Sequence, residues 1–307
     1  MVLPNFIIPG TEKGGTTPMF RLLVQHPDIH MPRHKELSFF TRYFDRREAV
    51  YYEWQVSLGY RGQKAIGEAT PEYMRVPGVA QRIHQMLGDE MRFIFCLRNP
   101  VTRAYSHYLQ CVRMQEEGNS FERALELDAQ RKQQRRFLNQ RRDYIRGGFY
   151  AEQIERFLRY YPRERMRFVV MEDDIQGKQR HRAKVMSELL DFLGVDAGFK
   201  FDYGIKDTSL PAPDIHFVKR GEKRIVPGTR RRAVPGSIVV DAYIAGANRY
   251  IVRPTPLARR FYARLNKNLT RALSPETAAM LYDRFYREEI DRVEALIGRD
   301  LSLWRPR

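Results

Sequence analysis

The chain has 307 residues, 43% of them hydrophobic, and carries 54 Lys and Arg against 37 Asp and Glu, a formal charge of +17. That length and apolar content fill one large α/β core or two small ones without disulfide staples; the two cysteines, Cys96 in a strand-like run and Cys111 in a helix-like run, form neither a disulfide framework nor a zinc spacing and are expected as buried thiols. The charge calls for an anionic partner, and nucleic acid, an anionic membrane face, a polyanionic glycan and a multiply charged nucleotide all satisfy it equally.

The apolar pattern begins at once, in Val2-Leu3-Pro4-Asn5-Phe6-Ile7-Ile8, with no charged-then-apolar leader before it. Nowhere does it reach the roughly 18 to 20 residues of a membrane span. A soluble, cytoplasmic protein is expected. Short apolar runs at Phe6 to Ile8, Ala65 to Ile66, Phe93 to Leu97 and Phe168 to Met171 alternate with amphipathic stretches, three of which are Thr16 to Gln25, Pro100 to Val112 and Ala151 to Tyr160. Such alternation is the pattern of βαβ units around a parallel sheet, so the expected fold is α/β, P-loop-like, with three layers and a central parallel sheet flanked by helices. Without a repeat or a Gly/Ser linker, residues 1–307 read as a single domain. A loop-rich basic excursion over about 198–273 contains Lys219-Arg220 and Thr229-Arg230-Arg231-Arg232. The chain then closes in a helix whose start is marked by Ser274 as cap, Pro275 in the first turn and Glu276 at the positive end of the dipole. Its apolar face is expected from Leu281, Phe285, Ile290, Val293 and Leu296, with Gly298 as the stop.

The segment Phe6-Ile7-Ile8-Pro9-Gly10-Thr11-Glu12-Lys13-Gly14-Gly15-Thr16-Thr17 is an apolar strand that enters a glycine-rich turn and then a helix. Glycines let the backbone approach an anion, the amides at the helix start point at it, Lys13 adds a mobile charge, and Thr16 and Thr17 add hydroxyl donors. The spacing resembles a Walker A loop with Gly10 and Gly15 as its glycines, but Thr16 stands where that motif has its lysine. The next long strand, Arg92 to Leu97, ends in Arg98-Asn99-Pro100 and offers no aspartate for magnesium. The pattern suits a phosphate-bearing donor handled by fixed cations without a metal.

Lys13-Gly14-Gly15-Thr16-Thr17, followed by Arg98-Asn99-Pro100-Val101-Thr102-Arg103-Ala104-Tyr105-Ser106-His107-Tyr108, resembles the two signatures by which sulfotransferases bind 3′-phosphoadenosine 5′-phosphosulfate (PAPS). Lys35-Glu36-Leu37-Ser38-Phe39-Phe40 is similar to the segment that carries a catalytic glutamate in the heparan sulfate branch. Gly67-Glu68-Ala69-Thr70-Pro71-Glu72-Tyr73, Gly148-Phe149-Tyr150-Ala151-Glu152-Gln153-Ile154 and Gly298-Arg299-Asp300-Leu301-Ser302-Leu303-Trp304 resemble further blocks of bacterial and heparan sulfate members. The likeness covers most of 3–200 and 274–304. It implies that Lys13, Gly14, Gly15, Thr16 and Thr17 bind the 5′-phosphosulfate, that Arg98 and Ser106 bind the 3′-phosphate, and that Tyr150 belongs to the nucleotide site. Phe217-Val218-Lys219-Arg220-Gly221 is the candidate for the family's nucleotide-covering loop, with Lys219, Arg220 and Gly221 as donor contacts. A solvated basic loop is the other reading of that segment. Ala69 stands where the 3-O-sulfating enzymes have a lysine, so any task of that lysine falls to Lys13, Lys35 or another group, or is absent.

Sulfuryl transfer needs an in-line nucleophile, a base for its proton, and cations where charge develops on the leaving phosphate. Glu36 is the candidate base, Lys35 the neighbour that keeps it ionised or positions the sulfuryl group, and Lys13 the cation for the leaving oxygen. His34 and His107 are competing bases, ranked below Glu36. Glu68 and Tyr73 either line the acceptor side or are structural. The product would be 3′-phosphoadenosine 5′-phosphate (PAP), and no metal and no nucleic acid are expected. A glycan, a glycolipid and a small hydroxylated or phenolic molecule stay open as acceptors, as does an anionic membrane surface as a partner. Two other classes remain: a metal-dependent P-loop kinase and a non-catalytic basic polyanion-binding protein.

Overall fold

The computed structural model describes residues 2–114, 116–133, 142–204, 216–219, 237–240, 249–254 and 272–306. Contacts group the chain into two compact units, Met1–Ala104 with Ile145–Lys206 and Ala278–Arg307, and Tyr105–Tyr144 with Asp207–Thr277.

The first unit is built on β1 (Phe6–Gly10), α1 (Thr16–Leu23), β2 (Ile29–His30), α2 (Ala49–Ser57), β3 (Ala65–Ala69), α3 (Val79–Leu87), β4 (Arg92–Leu97) and the start of α4 (Pro100–Arg113). The strands form a sheet of order β2-β3-β1-β4-β5, with every adjacent pair parallel and β5 spanning Met166–Val170. This is the α/β, P-loop-like parallel sheet that the alternating pattern implied. β1 lies in the middle and all five of its residues are buried, which explains an uninterrupted apolar run where a half-exposed strand would alternate. One face of the sheet packs Phe6, Ile8, Ile94, Cys96 and Val169 with Met19, Leu22 and Leu23 of α1 and with Met186, Leu189, Leu190 and Leu193 of a long helix, Gln179–Leu193. The other face is aromatic: Phe93 and Phe95 meet Phe157 and Tyr161, and Phe95 stacks on Phe168 at 5.1 Å.

One expected strand shifts and one expected helix is interrupted. The strand expected over Phe168 to Met171 is Met166–Val170, because Val170 N–H donates to the Asp174 carboxylate at 2.7 Å and the chain coils from Met171 into a π-helical turn. The closing helix starts as expected, with Thr277 N–H donating to Ser274 Oγ at 3.1 Å, and stops at Gly298, whose φ is 65°. It is interrupted, however, by a π-helical turn at Tyr282–Tyr286 between Pro275–Leu281 and Arg287–Ile297. The wider turn brings Tyr286, five residues after Leu281, onto the buried face. Tyr282, Ile290, Val293 and Ile297 join it, while the expected Phe285 and Leu296 are only partly buried.

In the second unit Tyr105, Tyr108, Phe121 and Tyr144 form an aromatic cluster around the helix Phe121–Gln133, and three antiparallel-paired strands, His216–Lys219, Ser237–Val240 and Arg249–Pro254, form a separate sheet. Both cysteines are buried thiols. Among the described residues no helix is long and apolar enough to cross a membrane.

Candidate active site

In a parallel sheet the loops at the carboxyl ends of the strands gather on one edge, and the natural ligand position is where successive crossovers leave in opposite directions. Here that point lies between β1, whose crossover leads towards β2, and β4, whose crossover leads towards β5. The glycine-rich loop follows β1 and Arg98 follows β4, so the two segments singled out in the sequence meet at the switch point.

The loop is folded tightly over the end of β4. Thr11 N–H donates to the Cys96 carbonyl at 2.7 Å, and Gly14 N–H donates to the Thr11 carbonyl at 2.9 Å. A Cβ on Gly14 would stand 2.2 Å from the Cys96 carbonyl oxygen, so glycine there is a requirement of packing. Gly15 caps α1 in the left-handed region at φ 101°, and Lys13 is held at φ 67°. No acidic side chain occupies the first turn of α1, so the partial positive charge of its amino end faces no competing carboxylate within the helix. Thr16 is buried in that turn and Thr17 is partly exposed.

At the end of β4, Asn99 caps α4 by accepting from Val101 N–H at 3.0 Å and Thr102 N–H at 3.4 Å. The Arg98 side chain is 27% exposed; its Nε donates to Thr102 Oγ1 at 3.1 Å and lies 3.9 Å from Glu172. Ser106 is partly exposed one helical turn beyond Thr102 on α4, and belongs to the second unit. Tyr150, expected at the nucleotide, is fully buried. Its hydroxyl donates to the Arg98 carbonyl at 2.7 Å, so it braces the strand end from beneath, and burial raises its pKa well above that of an ordinary tyrosine.

The Glu36 segment is fastened to the chain leaving β3. Glu36 N–H donates to the Ala69 carbonyl at 3.0 Å, Ser38 N–H to Thr70 Oγ1 at 3.3 Å, and Phe40 N–H to Tyr73 Oη at 3.3 Å. These anchors hold Glu36 at φ 69° and Ser38 at φ 54°, conformations that non-glycine residues seldom adopt and that cluster at functional sites. Lys35 Nζ is 2.6 Å from Glu36 Oε1, with side-chain exposures of 16% and 55%. Burial pushes the Cys96 thiol up to about 12, against an opposing pull from the Lys35 charge.

Glu68 and Tyr73 resolve to the structural side of the two readings. The Glu68 carboxylate is buried and accepts from Tyr52 Oη at 2.6 Å and Thr70 Oγ1 at 2.5 Å. Burial raises its pKa to about 7, although the hydrogen bonds from Thr70, Tyr52 and Tyr73 pull the other way. His34 is exposed, and His107 is buried with its ring edge-on to Tyr144 at 5.4 Å in the second unit. Lys219 ends a strand of the second unit, and Arg220 and Gly221 lie outside the described residues. Sequence reasoning missed the contributions of Thr70, Glu172 and Trp304; for Trp304 the signal was the Gly298 to Trp304 block, noted without a role.

Three comparisons bear on this arrangement. Residues 3–209 match the family model described as "Sulfotransferase domain". Among curated proteins, the chain is 40% identical over 111 residues to the membrane-associated sulfotransferase kil1 of Dictyostelium discoideum, covering 35% of this chain and 23% of that protein. It is 32% identical over 192 residues to heparan sulfate glucosamine 3-O-sulfotransferase 6 of Mus musculus, covering 62% of this chain and 52% of that protein. The match thus spans about half the length of the mouse protein and under a quarter of the Dictyostelium one. A crystal structure of a sulfotransferase from Alicyclobacillus acidocaldarius superposes with a TM-score of 0.70 at 26% identity over 100% of both chains. With a family match over most of the chain and the expected sheet beneath the glycine-rich loop, the chain belongs to the sulfotransferase family.

Proposed function

We propose that the protein transfers the sulfuryl group of PAPS to an acceptor hydroxyl, releasing PAP. The observation that carries this reading is the meeting of the Lys13 to Thr17 loop with Arg98 at the switch point between β1 and β4, beside a Glu36 segment tied to the end of β3. In this reading the amides of Gly15 and Thr16, the hydroxyls of Thr16 and Thr17 and the ammonium of Lys13 receive the 5′-phosphosulfate, while Gly14 lets the loop pack on β4. Arg98 receives the 3′-phosphate; a guanidinium matches a phosphate with paired donors. Tyr150 supports Arg98 through its carbonyl and is a positioning residue.

The acceptor oxygen attacks sulfur in line, the bond between sulfur and the bridging phosphate oxygen breaks, and the acceptor proton passes to Glu36. Negative charge grows on the departing phosphate, where Lys13 stabilises it. Lys35, whose Nζ is 2.6 Å from Glu36 Oε1, orients the carboxylate and stands in for the lysine that Ala69 replaces. These fixed cations do the work that a metal does in phosphoryl transfer, so no metal is required. A hydroxyl on a glycan is the acceptor class favoured, because the names of the curated relatives specify heparan sulfate glucosamine, and a charge of +17 attracts polyanionic chains.

Calorimetry of PAP without magnesium tests the donor site. Lys13→Ala and Arg98→Ala should each weaken PAP binding by about tenfold or more, since each removes a charge-assisted contact, while leaving the melting temperature nearly unchanged. Wild-type affinity in both variants would place the donor elsewhere.

A further inference from the structure

The carboxyl-terminal segment reaches back across the sequence to the end of β4. The Trp304 indole N–H donates to Glu172 Oε2 at 3.1 Å, and the Trp304 carbonyl accepts from Asn99 Nδ2 at 3.0 Å. The Trp304 ring also lies edge-on to Tyr150 at 6.1 Å, and Tyr150 holds the Arg98 carbonyl. Glu172 in turn accepts from Asn99 N–H through Oε1 at 2.9 Å, and the same oxygen is 3.9 Å from Arg98 Nε. One buried tryptophan therefore contacts three of the residues around Arg98: its chain neighbour Asn99, the Glu172 carboxylate near its guanidinium and the Tyr150 phenol on its carbonyl.

The segment is itself pinned. Arg299 binds the carboxylates of Asp173 and Asp174, the residues next to Glu172, with Nη2 at 2.6 Å from Asp173 Oδ2. Leu301 N–H donates to Glu294 Oε1 at 3.1 Å, and Trp304 N–H donates to the Leu301 carbonyl at 2.8 Å. Asp173 and Asp174 with His181 form the one His/Cys/Asp/Glu cluster of metal-binding proximity among the described residues; the Arg299 guanidinium is bound within it.

We infer that Trp304 and Glu172 are positioning residues for the donor's 3′-phosphate, holding Arg98 in the orientation that receives it. Arginine loses considerable rotamer freedom on binding, and a guanidinium already held on its Nε side by Thr102 and Glu172 has less to lose when phosphate arrives. Glu172 has an electrostatic cost, since a carboxylate near the site repels phosphate. The indole N–H and the Asn99 N–H draw on its charge and limit that cost.

This inference rests on the donor reading above, and the test separates the two. Calorimetry compares PAP with 5′-AMP, which lacks the 3′-phosphate, for wild type, Trp304→Phe and Glu172→Gln. If wild type fails to prefer PAP over 5′-AMP, the donor reading fails. If it does prefer PAP, Trp304→Phe, which keeps a ring against Tyr150 and loses only the N–H donor and some volume, should cut the PAP to 5′-AMP preference about tenfold, the scale of one hydrogen bond to a charged group. Affinity for 5′-AMP should stay near that of wild type, whereas general damage to the fold would weaken both ligands alike. Glu172→Gln, nearly equal in volume, should lower the preference in the same direction and serves if Trp304→Phe does not fold. Equal loss for both ligands, an unchanged preference, or a Glu172→Gln variant that binds PAP more tightly would overturn the inference.

Discussion

Replacing Gly14 by alanine puts one methyl group into the most crowded point of the donor loop. The new Cβ would lie 2.2 Å from the Cys96 carbonyl oxygen and 2.5 Å from Thr11 Cγ2. The threonine methyl can turn aside. The carbonyl cannot, because Cys96 lies within β4, paired with Val169 in a parallel sheet, and its oxygen already accepts from Thr11 N–H at 2.7 Å. Relief requires the loop to lift off β4, at the cost of that hydrogen bond and of packing, and overpacking of this kind costs about 1–3 kcal/mol. With backbone on the blocked side, the upper end applies, which corresponds to a fall in melting temperature of about 5 °C for a chain of this size. Lifting the loop also moves the amides of Gly15 and Thr16, so PAP affinity should drop by about tenfold or more, a loss comparable to one charged hydrogen bond. Gly118→Ala is the control, since a Cβ there meets nothing within 4 Å and should change neither quantity. Differential scanning calorimetry and PAP titration on the three proteins measure both effects. A Gly14→Ala protein with wild-type melting temperature and wild-type PAP affinity would refute the claim that the loop is packed against Cys96 and cradles the donor.

Glu36→Gln keeps the reach of the side chain and removes its capacity to take a proton, so single-turnover transfer to an aliphatic hydroxyl should slow by at least about a hundredfold while PAP affinity holds; a near-normal rate would move the base to His34 or His107. Glu68→Gln tests the buried network beside that loop. Because burial raises the Glu68 pKa from 4.5 to about 7, the folded state holds a proton that the unfolded chain has released over that window, and wild-type stability should fall as pH rises across it. The contribution is at most about 3 kcal/mol and should be absent from Glu68→Gln; parallel pH profiles in chemical denaturation would show that Glu68 titrates normally.

Much of this protein was decided locally and is readable along the chain. Strands buried on both faces need unbroken apolar runs, which is why Phe6 to Ile8 and Phe93 to Leu97 announce a parallel sheet. A turn packed on a backbone carbonyl needs Gly14, a left-handed helix cap needs Gly15, and a helix start needs a residue such as Ser274. The placing of the glycine-rich loop after β1 and of Arg98 after β4 was legible for the same reason, since both are short segments following a strand. Tertiary structure decided what depends on residues far apart meeting. The contacts Asn99 to Trp304, Arg98 to Tyr150 and Glu36 to Ala69 join positions separated by many tens of residues, or by a whole crossover, and no spacing along the chain encodes them. Whether Glu68 faced an acceptor or the interior depended on which side chains closed over it, and Tyr52, Thr70 and Tyr73 did so. The burial of Tyr286 in place of Phe285 followed from a π-helical turn that helical periodicity cannot foresee, because one added residue in a turn rotates everything after it.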